Sequence, residues 1–562
     1  MNHFKVSKLA VALSLSISTS AISYSVEAAS LNPEKPNILL IIADDLGFSD
    51  IGSYGSEIDT PNLDQLANSG LRLTNFHTAP ACSPTRAALM TGVEPHIAGL
   101  GAMLEEIAPN QEDKPGYEGV LNDKVVTFAS LLKDAGYHTY LSGKWHLGHT
   151  EDTGPDDRGF DRSFTLLSGG ASHFPDMKPS YAPTPEAKAA YAEDGKRLQK
   201  LPAEFKYSSQ YYADRMIDYI GSEKDDAPFF GMLSFTAPHW PLQAPDEAIE
   251  KYRGKYDAGY DELFKQRLQN QKDLGLIPAD AEGALRPPKG RPWDSLTPEE
   301  QKVEKRGMEI YAAMIDRMDY HLGRVIDQLK KQGVYDNTIV VFMSDNGPEG
   351  HDLDETWPGD LFPKIRKVID ETNDFSYEAM GKPGSYTLYG PNWGWVSSPA
   401  FSMHKAFPTE GGTRSIAIVD IPGVKRDGQI DNRYISVKDI APTLLELTNV
   451  KHPGTSYKGR TIEPMSGVSA LPVLKGEQVS TDRLEAGELF GKYYIRNGEW
   501  KLVHMPEPYG NGNWQLFNIN TDLAERHDLS QQNPQKVTDL IAEWQQFAKK
   551  TNLIIPDWVS GY

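Results

Sequence analysis

The chain has 562 residues, 39% of them hydrophobic and 24% charged, with a formal net charge of −21 and a pI near 5.2. That length provides for two or more domains with a large core, and the composition is that of a soluble globular protein. The acidic balance argues against nucleic acid and acidic membranes as partners, and a single cysteine, Cys82, excludes an intrachain disulfide.

Lys5 and Lys8 precede an apolar, serine-rich run from Leu9 to Ile22, and small residues lead to Val26-Glu27-Ala28. Residues 1–28 therefore read as a secretory signal peptide cleaved after Ala28, and the protein as exported, periplasmic or secreted. No later stretch reaches the roughly 18 uninterrupted apolar residues of a spanning helix, so no stable membrane association is expected.

Pro36 to Ala43 is apolar throughout and ends in Asp44-Asp45, the pattern of a central parallel strand with its carboxylates at the ligand-binding edge. Thr60 and Pro61 open a helix that stops at Gly70, and Leu71 to Phe76 form the next strand. There follows Thr78-Ala79-Pro80-Ala81-Cys82-Ser83-Pro84-Thr85-Arg86, then good helix formers up to Thr91-Gly92. Cys82 thus stands at a helix start, where free N–H groups, the helix dipole and Arg86 favour an anion and depress a thiol's pKa. By default a lone cysteine is only a small buried hydrophobe.

A helix is expected from about Lys124 to Ala135, then a strand Tyr137–Ser142 leading to Gly143-Lys144-Trp145-His146. Another strand, Pro228–Phe235, leads to Thr236-Ala237-Pro238-His239. Thr297-Pro298-Glu299-Glu300 is a capping box for a long helix ending near Gly333, whose Tyr311, Met314, Met318 and His321 read as core. Thr338–Met343 repeats the first pattern, an apolar run ending in Ser344-Asp345-Asn346-Gly347. Lys405 lies in the segment His404–Gly412, before a strand Ser415–Asp420. From about residue 470 short strands (Lys492–Arg496, Trp500–His504, Trp514–Ile519) and a helix Pro534–Lys550 predict a small antiparallel α+β subdomain. The expected division is a catalytic α/β domain over 34–469 and a C-terminal subdomain over 470–562.

Several buried strands thus end in ionisable residues at one sheet edge. Asp44, Asp45, Asp345 and Asn346 offer only oxygen donors, which suits Ca²⁺ or Mg²⁺ and not zinc. Lys144 and His146, two apart and on one side of an extended segment, would join Arg86, His239 and Lys405 in a cationic wall opposite the metal. Such a wall suits sulfate or phosphate.

Cys-x-Pro-x-Arg with Thr91-Gly92, and Gly136-Tyr137-His138-Thr139 through Gly143-Lys144-Trp145-His146-Leu147-Gly148, resemble the two signatures of type I sulfatases. The contexts of Asp44-Asp45, His239, Asp345-Asn346 and Lys405 follow in that family's order, and the pseudomonad-type bacterial arylsulfatases are the most similar group. The resemblance implies an alkaline-phosphatase-like fold: a large mixed, mostly parallel sheet flanked by helices. It implies that Cys82 becomes Cα-formylglycine through a transient maturation enzyme, and that one Ca²⁺ is held by Asp44, Asp45, Asp345, Asn346 and residue 82. Arg86 and Lys144 would stabilise the aldehyde hydrate, and His146, His239 and Lys405 would contact the sulfate. Asp345 would help the hydrate attack sulfur, His239 would protonate the leaving group, and His146 would trigger sulfate release. The alternatives are a formylglycine-dependent phosphomonoester, phosphodiester or phosphonate hydrolase, a sulfatase of sulfated carbohydrates, and an inactive exported binding protein. Loops at 102–123 and 348–403 would shape the pocket. The second carries Trp357, Phe362, Phe375, Tyr377, Tyr386, Tyr389, Trp393 and Trp395, an aromatic set suited to an aryl group.

Overall fold

A computed structural model describes residues 1, 35–222, 225–356 and 362–558. The expected signal segment, Met1 apart, and Trp357 lie outside the described residues. In chain order the principal elements are β1 (Asn37–Ala43), α1 (Pro61–Ser69), β2 (Leu71–His77), α2 (Cys82–Thr91), α3 (Phe128–Asp134), β3 (His138–Lys144) and β4 (Arg162–Leu166). They continue with α4 (Ser208–Ser222), β5 (Phe229–Ser234), α5 (Pro298–Lys331), β6 (Thr338–Ser344) and β7 (Arg414–Asp420). The C-terminal part holds β8 (Leu484–Leu489), β9 (Lys492–Asn497), β10 (Trp500–His504), β11 (Trp514–Asn518) and α6 (Pro534–Thr551).

All seven residues of β1 are buried because helices cover both faces of the sheet. Leu39 and Ile41 enter one apolar core with Met314 and Met318 of α5, while Ile38, Leu40 and Ile42 enter a second with Ala87 and Met90 of α2. A strand that feeds two cores has no reason to alternate, which is why the sequence shows an unbroken apolar run. β1 pairs in parallel with β6 on one side and β5 on the other, and β3 and β4 extend the parallel order beyond β5. The eleven-stranded sheet is mixed: β7 runs antiparallel to both β6 and β2, and short strands at Tyr191–Glu193, Lys196–Arg197, Ile430–Asp431 and Ile435–Ser436 complete it. The C-terminal ends of β1, β2, β3, β5 and β6 consequently share one edge, and β7 starts there.

The capping box of α5 is present, with the Thr297 and Glu300 side chains each bonded to the other's backbone N–H. His321 on that helix pairs with Arg324 at 3.1 Å, in keeping with a structural role. The helix expected from Lys124 begins four residues later, at Phe128, because Thr127 is its N-cap and its side chain accepts from Ser130 N. β8 is a strand the sequence reading passed over. It heads the antiparallel sheet β8–β9–β10–β11, on which α6 packs Leu540 and Trp544 against Ile495, Leu502 and Leu516. Among the described residues no helix is long and apolar enough to cross a membrane.

Candidate active site

β1 delivers Asp44 and Asp45, β6 delivers Asp345 and Asn346, and α2 delivers Cys82 as its first residue and Arg86 one turn on. Asp44, Asp45, Arg86, Asp345 and Asn346 are wholly buried, and Cys82 is 1% exposed. Cys82 Sγ lies 3.4 Å from Asp44 Oδ1 and 3.7 Å from Asp45 Oδ1. Asp45 takes a left-handed turn (φ 67°) that ends β1, and its N–H donates to Asp345 Oδ1 at 3.3 Å. That conformation costs a non-glycine residue on the order of 1 kcal/mol. Gly347 lets the β6 turn close on the Lys405 segment: a Cβ there would sit 1.8 Å from Gly411 O.

Ligand atoms of Asp44, Asp45, Cys82 and Asp345 all lie within 4.8 Å of one another. Asn346 Nδ2 donates to Asp45 Oδ1 at 2.7 Å, while Asn346 Oδ1 is buried and has no hydrogen-bond partner among the described residues. A buried carbonyl oxygen left unbonded is costly unless a cation or water takes it up. Three carboxylates and one amide oxygen on so small a perimeter fit a hard divalent cation such as Ca²⁺.

The cations do not form a separate wall opposite this cluster, as the sequence suggested; they interleave with it. Lys144 Nζ is 2.8 Å from Asp44 Oδ2, and Lys405 Nζ is 2.9 Å from Asp45 Oδ2 and 3.2 Å from Glu349 Oε2. Arg86 grips Asp345 Oδ2 through Nε (2.9 Å) and Nη2 (2.8 Å) and donates to Ser234 Oγ and Lys144 O. His239 Nε2 is 3.6 Å from Asp45 Oδ2, and its Nδ1 is held by Trp240 O at 2.5 Å. Lys144 and His146 do not share the side of one extended segment, because β3 ends at Lys144 and His146 turns left-handed (φ 59°). His146 Nε2 instead meets Glu105 Oε2 at 3.4 Å.

Burial would raise Asp45, but the Lys405 ammonium and His239 outweigh it and hold the carboxyl below its usual range. Burial and the Asp44 charge push Asp345 up to about 6 against the pull of Arg86. Burial lowers His146 to about 4 despite Glu105, and His239 to about 3 despite Asp45, so both imidazoles are neutral at pH 7. The expected acidification of the Cys82 thiol is reversed. Burial raises it well above the ordinary value, and the Asp345 and Asp44 charges add to that effect, while Lys144 and Lys405 only partly oppose it. A helix start favours a thiolate only where solvent or cations dominate the surroundings. As a thiol, Cys82 is a poor nucleophile.

A small pocket opens beside Cys82, lined by Met103, Glu105, His146, Gly169, Gly170, Tyr181, His239, Trp240 and Lys405. The loop at 102–123 contributes as expected. The 348–403 aromatics mostly do not: Tyr389 stacks on Tyr311, Trp395 on Phe264, and Trp393 packs against Tyr256 and Tyr260 in the core. Tyr386 reaches the cavity indirectly, by packing on Trp240 at 5.6 Å between ring centroids. The sequence reading missed Glu105, Glu349 and the Ser168-Gly169-Gly170 turn. Only the turn left a signal, two glycines just past β4.

The family described as Sulfatase matches residues 36–450. An uncharacterized sulfatase of Schizosaccharomyces pombe is 42% identical over 530 residues, covering 93% of this chain and 95% of the relative. An arylsulfatase of Klebsiella aerogenes is 41% identical over 441 residues, 78% of this chain and 91% of its own. Among solved structures, Ps i-CgsB in complex with k-i-k-neocarrahexaose superposes with a TM-score of 0.64 at 25% identity, covering 94% of this chain and 95% of that one. The phosphonate monoester hydrolase of Agrobacterium radiobacter shares the fold, with a TM-score of 0.55 at 18% identity over 92% of this chain and 96% of its own.

Proposed function

The chain belongs to the sulfatase family, and from that premise we propose that it hydrolyses small aryl sulfates to a phenol and sulfate at the Cys82 site. The observation that carries this reading is the convergence of four oxygen donors and three fixed cations on one residue, Cys82, whose unmodified thiol is held protonated. Conversion of Cys82 to formylglycine would replace that thiol with an aldehyde whose hydrate offers one hydroxyl to attack sulfur and a second whose deprotonation expels sulfate. Asp44, Asp45, Asp345 and Asn346 would hold Ca²⁺, which supplies positive charge to the sulfuryl oxygens.

The chain's own groups have the remaining tasks. Asp345, whose carboxylate Arg86 holds in place at 2.8–2.9 Å, would accept the proton of the attacking hydroxyl. Lys144 and Lys405 bind and orient the sulfuryl oxygens. His239 Nδ1–H stays with Trp240 O, so the proton for the leaving phenol passes through Nε2. Burial keeps that imidazole neutral in the free site, and the negative substrate beside Asp45 is what restores its proton, with the Lys405 ammonium as a second acid. His146 serves the release step. Met103, Pro179, Tyr181 and Trp240 give the leaving group a largely apolar wall, which favours an aromatic alcohol.

The test compares 4-nitrophenyl sulfate with the matching phosphate monoester and phosphonate, and with a sulfated monosaccharide, on protein from a host that carries the maturation enzyme. Higher kcat/KM on phosphorus would overturn the sulfatase reading, and higher kcat/KM on the sugar would overturn the aryl preference. Mass spectrometry of the Cys82 peptide should show the aldehyde; fully active protein containing only thiol would remove the proposed nucleophile.

A further inference from the structure

Glu105 lies in a short turn, Leu104–Glu106, within the 102–123 loop, and its carboxylate faces the same cavity as Cys82 and His146. His146 Nε2 meets Glu105 Oε2 at 3.4 Å, with the two side chains 4% and 13% exposed. The other ring nitrogen, Nδ1, is buried and has no hydrogen-bond partner among the described residues. Gly169 closes over the pair: a Cβ there would lie 2.9 Å from His146 Cε1 and Nε2 and 3.4 Å from Glu105 Oε1, so only glycine lets the loop pack down on it.

An ionised carboxylate can only accept, so the nitrogen it faces must carry the proton. Burial would raise Glu105, but His146 and its hydrogen bond hold it down at about 2, and it is ionised at neutral pH. A neutral imidazole with its proton on Nε2 has its lone pair on Nδ1. Among the described residues nothing satisfies that lone pair.

We propose that Glu105 is the positioning residue of His146: it fixes the proton on Nε2, making Nδ1 the atom that takes the proton from the second hydroxyl of residue 82 during sulfate release. The inference rests on the functional reading above. In the release step the O–H proton moves to Nδ1, the freed electron pair forms the aldehyde C=O, and the bond from that carbon to the sulfate oxygen breaks, sulfate leaving with its electrons. The imidazolium so formed faces the Glu105 carboxylate, which lowers the cost of charging a ring that burial otherwise keeps neutral.

The experiment uses matured wild type, Glu105→Gln, His146→Asn and the double variant with 4-nitrophenyl sulfate. In Glu105→Gln the new side chain is close in shape, but its amide can turn an N–H toward Nε2 and stabilise the wrong tautomer. We expect kcat to fall at least about tenfold, part of what a general base supplies. KM should fall in parallel, leaving kcat/KM within about twofold, because the first transfer to residue 82 is untouched. Release then limits turnover, and a burst of nitrophenol should precede the steady rate. The double variant should be no slower than His146→Asn alone, since the two residues act as a unit. Equal losses in kcat and kcat/KM without a burst, or additive losses in the double variant, would overturn the proposal. Should Glu105→Gln fail to fold, ¹⁵N NMR of the wild-type imidazoles decides, with His146 assigned by its disappearance in His146→Asn. A protonated Nε2 supports the proposal, and a protonated Nδ1 overturns it. A matured wild type that does not turn over the sulfate ester would instead overturn the functional reading and the release step with it, while the NMR result still reports on Glu105 alone.

Discussion

Replacing Lys501 by Met should loosen the active site from outside it. Lys501 stands on β10 of the C-terminal sheet, 1% exposed, with Nζ 2.8 Å from Glu410 Oε1 and 3.0 Å from Glu525 Oε1. Glu525 Oε2 in turn accepts from Glu410 N at 2.7 Å, so the three residues bolt the Lys405-bearing segment to the C-terminal sheet. Two charges about 3 Å apart attract by roughly 5 kcal/mol at an effective dielectric of about 20, before desolvation is subtracted. Removing one partner of a buried ion pair costs about 3–5 kcal/mol in practice. The lower end applies here. Burial, against the pull of Lys501, already raises Glu525 to about 7, so without the ammonium it takes up a proton and leaves no second bare charge. Glu410 meanwhile keeps Arg414 at 3.3 Å. A loss of about 3 kcal/mol, spread over an unfolding entropy of about 2 cal/mol/K per residue, lowers Tm by about 3 °C. Calorimetry measures this directly, and kcat on an aryl sulfate should drop with it as Lys405 loses its anchor. Lys501→Met/Glu525→Gln should match the single variant within about 1 kcal/mol at pH 7, because Glu525 is already protonated in the single variant and the glutamine likewise accepts from Glu410 N without a charge. A single variant within about 1 kcal/mol of wild type, or a double variant clearly more stable than the single, would refute the reasoning.

Calcium should stabilise the protein: at a concentration about 100 times Kd, binding contributes about 2.7 kcal/mol, or a Tm rise of about 2–3 °C. Asn346→Ala, which removes the unpartnered Oδ1, should lose most of that rise at the same calcium concentration; an unchanged Tm on adding calcium to wild type would count against the cation site. Glu304 tests the pH logic. Burial pushes its carboxyl up to about 7, so between about pH 4.5 and 7 the folded state binds the extra proton and its stability is lost as pH rises through that window. Glu304→Gln should therefore raise stability at pH 8 by about 1–2 kcal/mol, after allowance for partial solvent screening, and leave pH 5 nearly unchanged. Denaturant melts at the two pH values measure it, and an equal effect at both would contradict the assignment.

What the sequence made legible was whatever backbone order alone determines. Apolar runs ending in Asp44-Asp45 and Asp345-Asn346 announce parallel strands with carboxylates at one edge, and parallel pairing of β1 with β6 then leaves no freedom about where those side chains meet. Cys82 and Arg86 were equally readable, because Pro84 and the residues after it specify a helix start. Partnership was not readable. Glu105 and Glu349 are acidic residues in loops with no period, and their mates His146 and Lys405 lie 41 and 56 positions away. The Cys82 thiol was misjudged for the same reason: a helix start is local, whereas the burial that raises its pKa, with the Asp345 and Asp44 charges adding to it, is built by elements distant in sequence. The aromatic loop misled because composition cannot tell a ring facing a pocket from one stacked on Tyr311 or Phe264.

The charge pattern of the site also bears on which ester it takes. Asp44, Asp45, Asp345 and Glu349 face three permanent cations, Arg86, Lys144 and Lys405, while His146 and His239 are neutral. With these four carboxylates and Glu105 ionised the buried cluster carries two net negative charges, and a bound dication would bring it to zero. A sulfate monoester, a monoanion, would then add one negative charge. A phosphate monoester is largely a dianion at pH 7, its second pKa being about 6, and would add two where desolvation makes such charges costly. Lys144 and Lys405 matter on both sides of this balance. Each now neutralises an aspartate at 2.8–2.9 Å, and a dication on the same aspartates would free both ammonium groups to turn toward the sulfuryl oxygens. A cation on these aspartates and a bound substrate would therefore be coupled through the same two lysines, and the proposed preference for sulfur over phosphorus would follow from the count of charges as much as from the shape of the pocket.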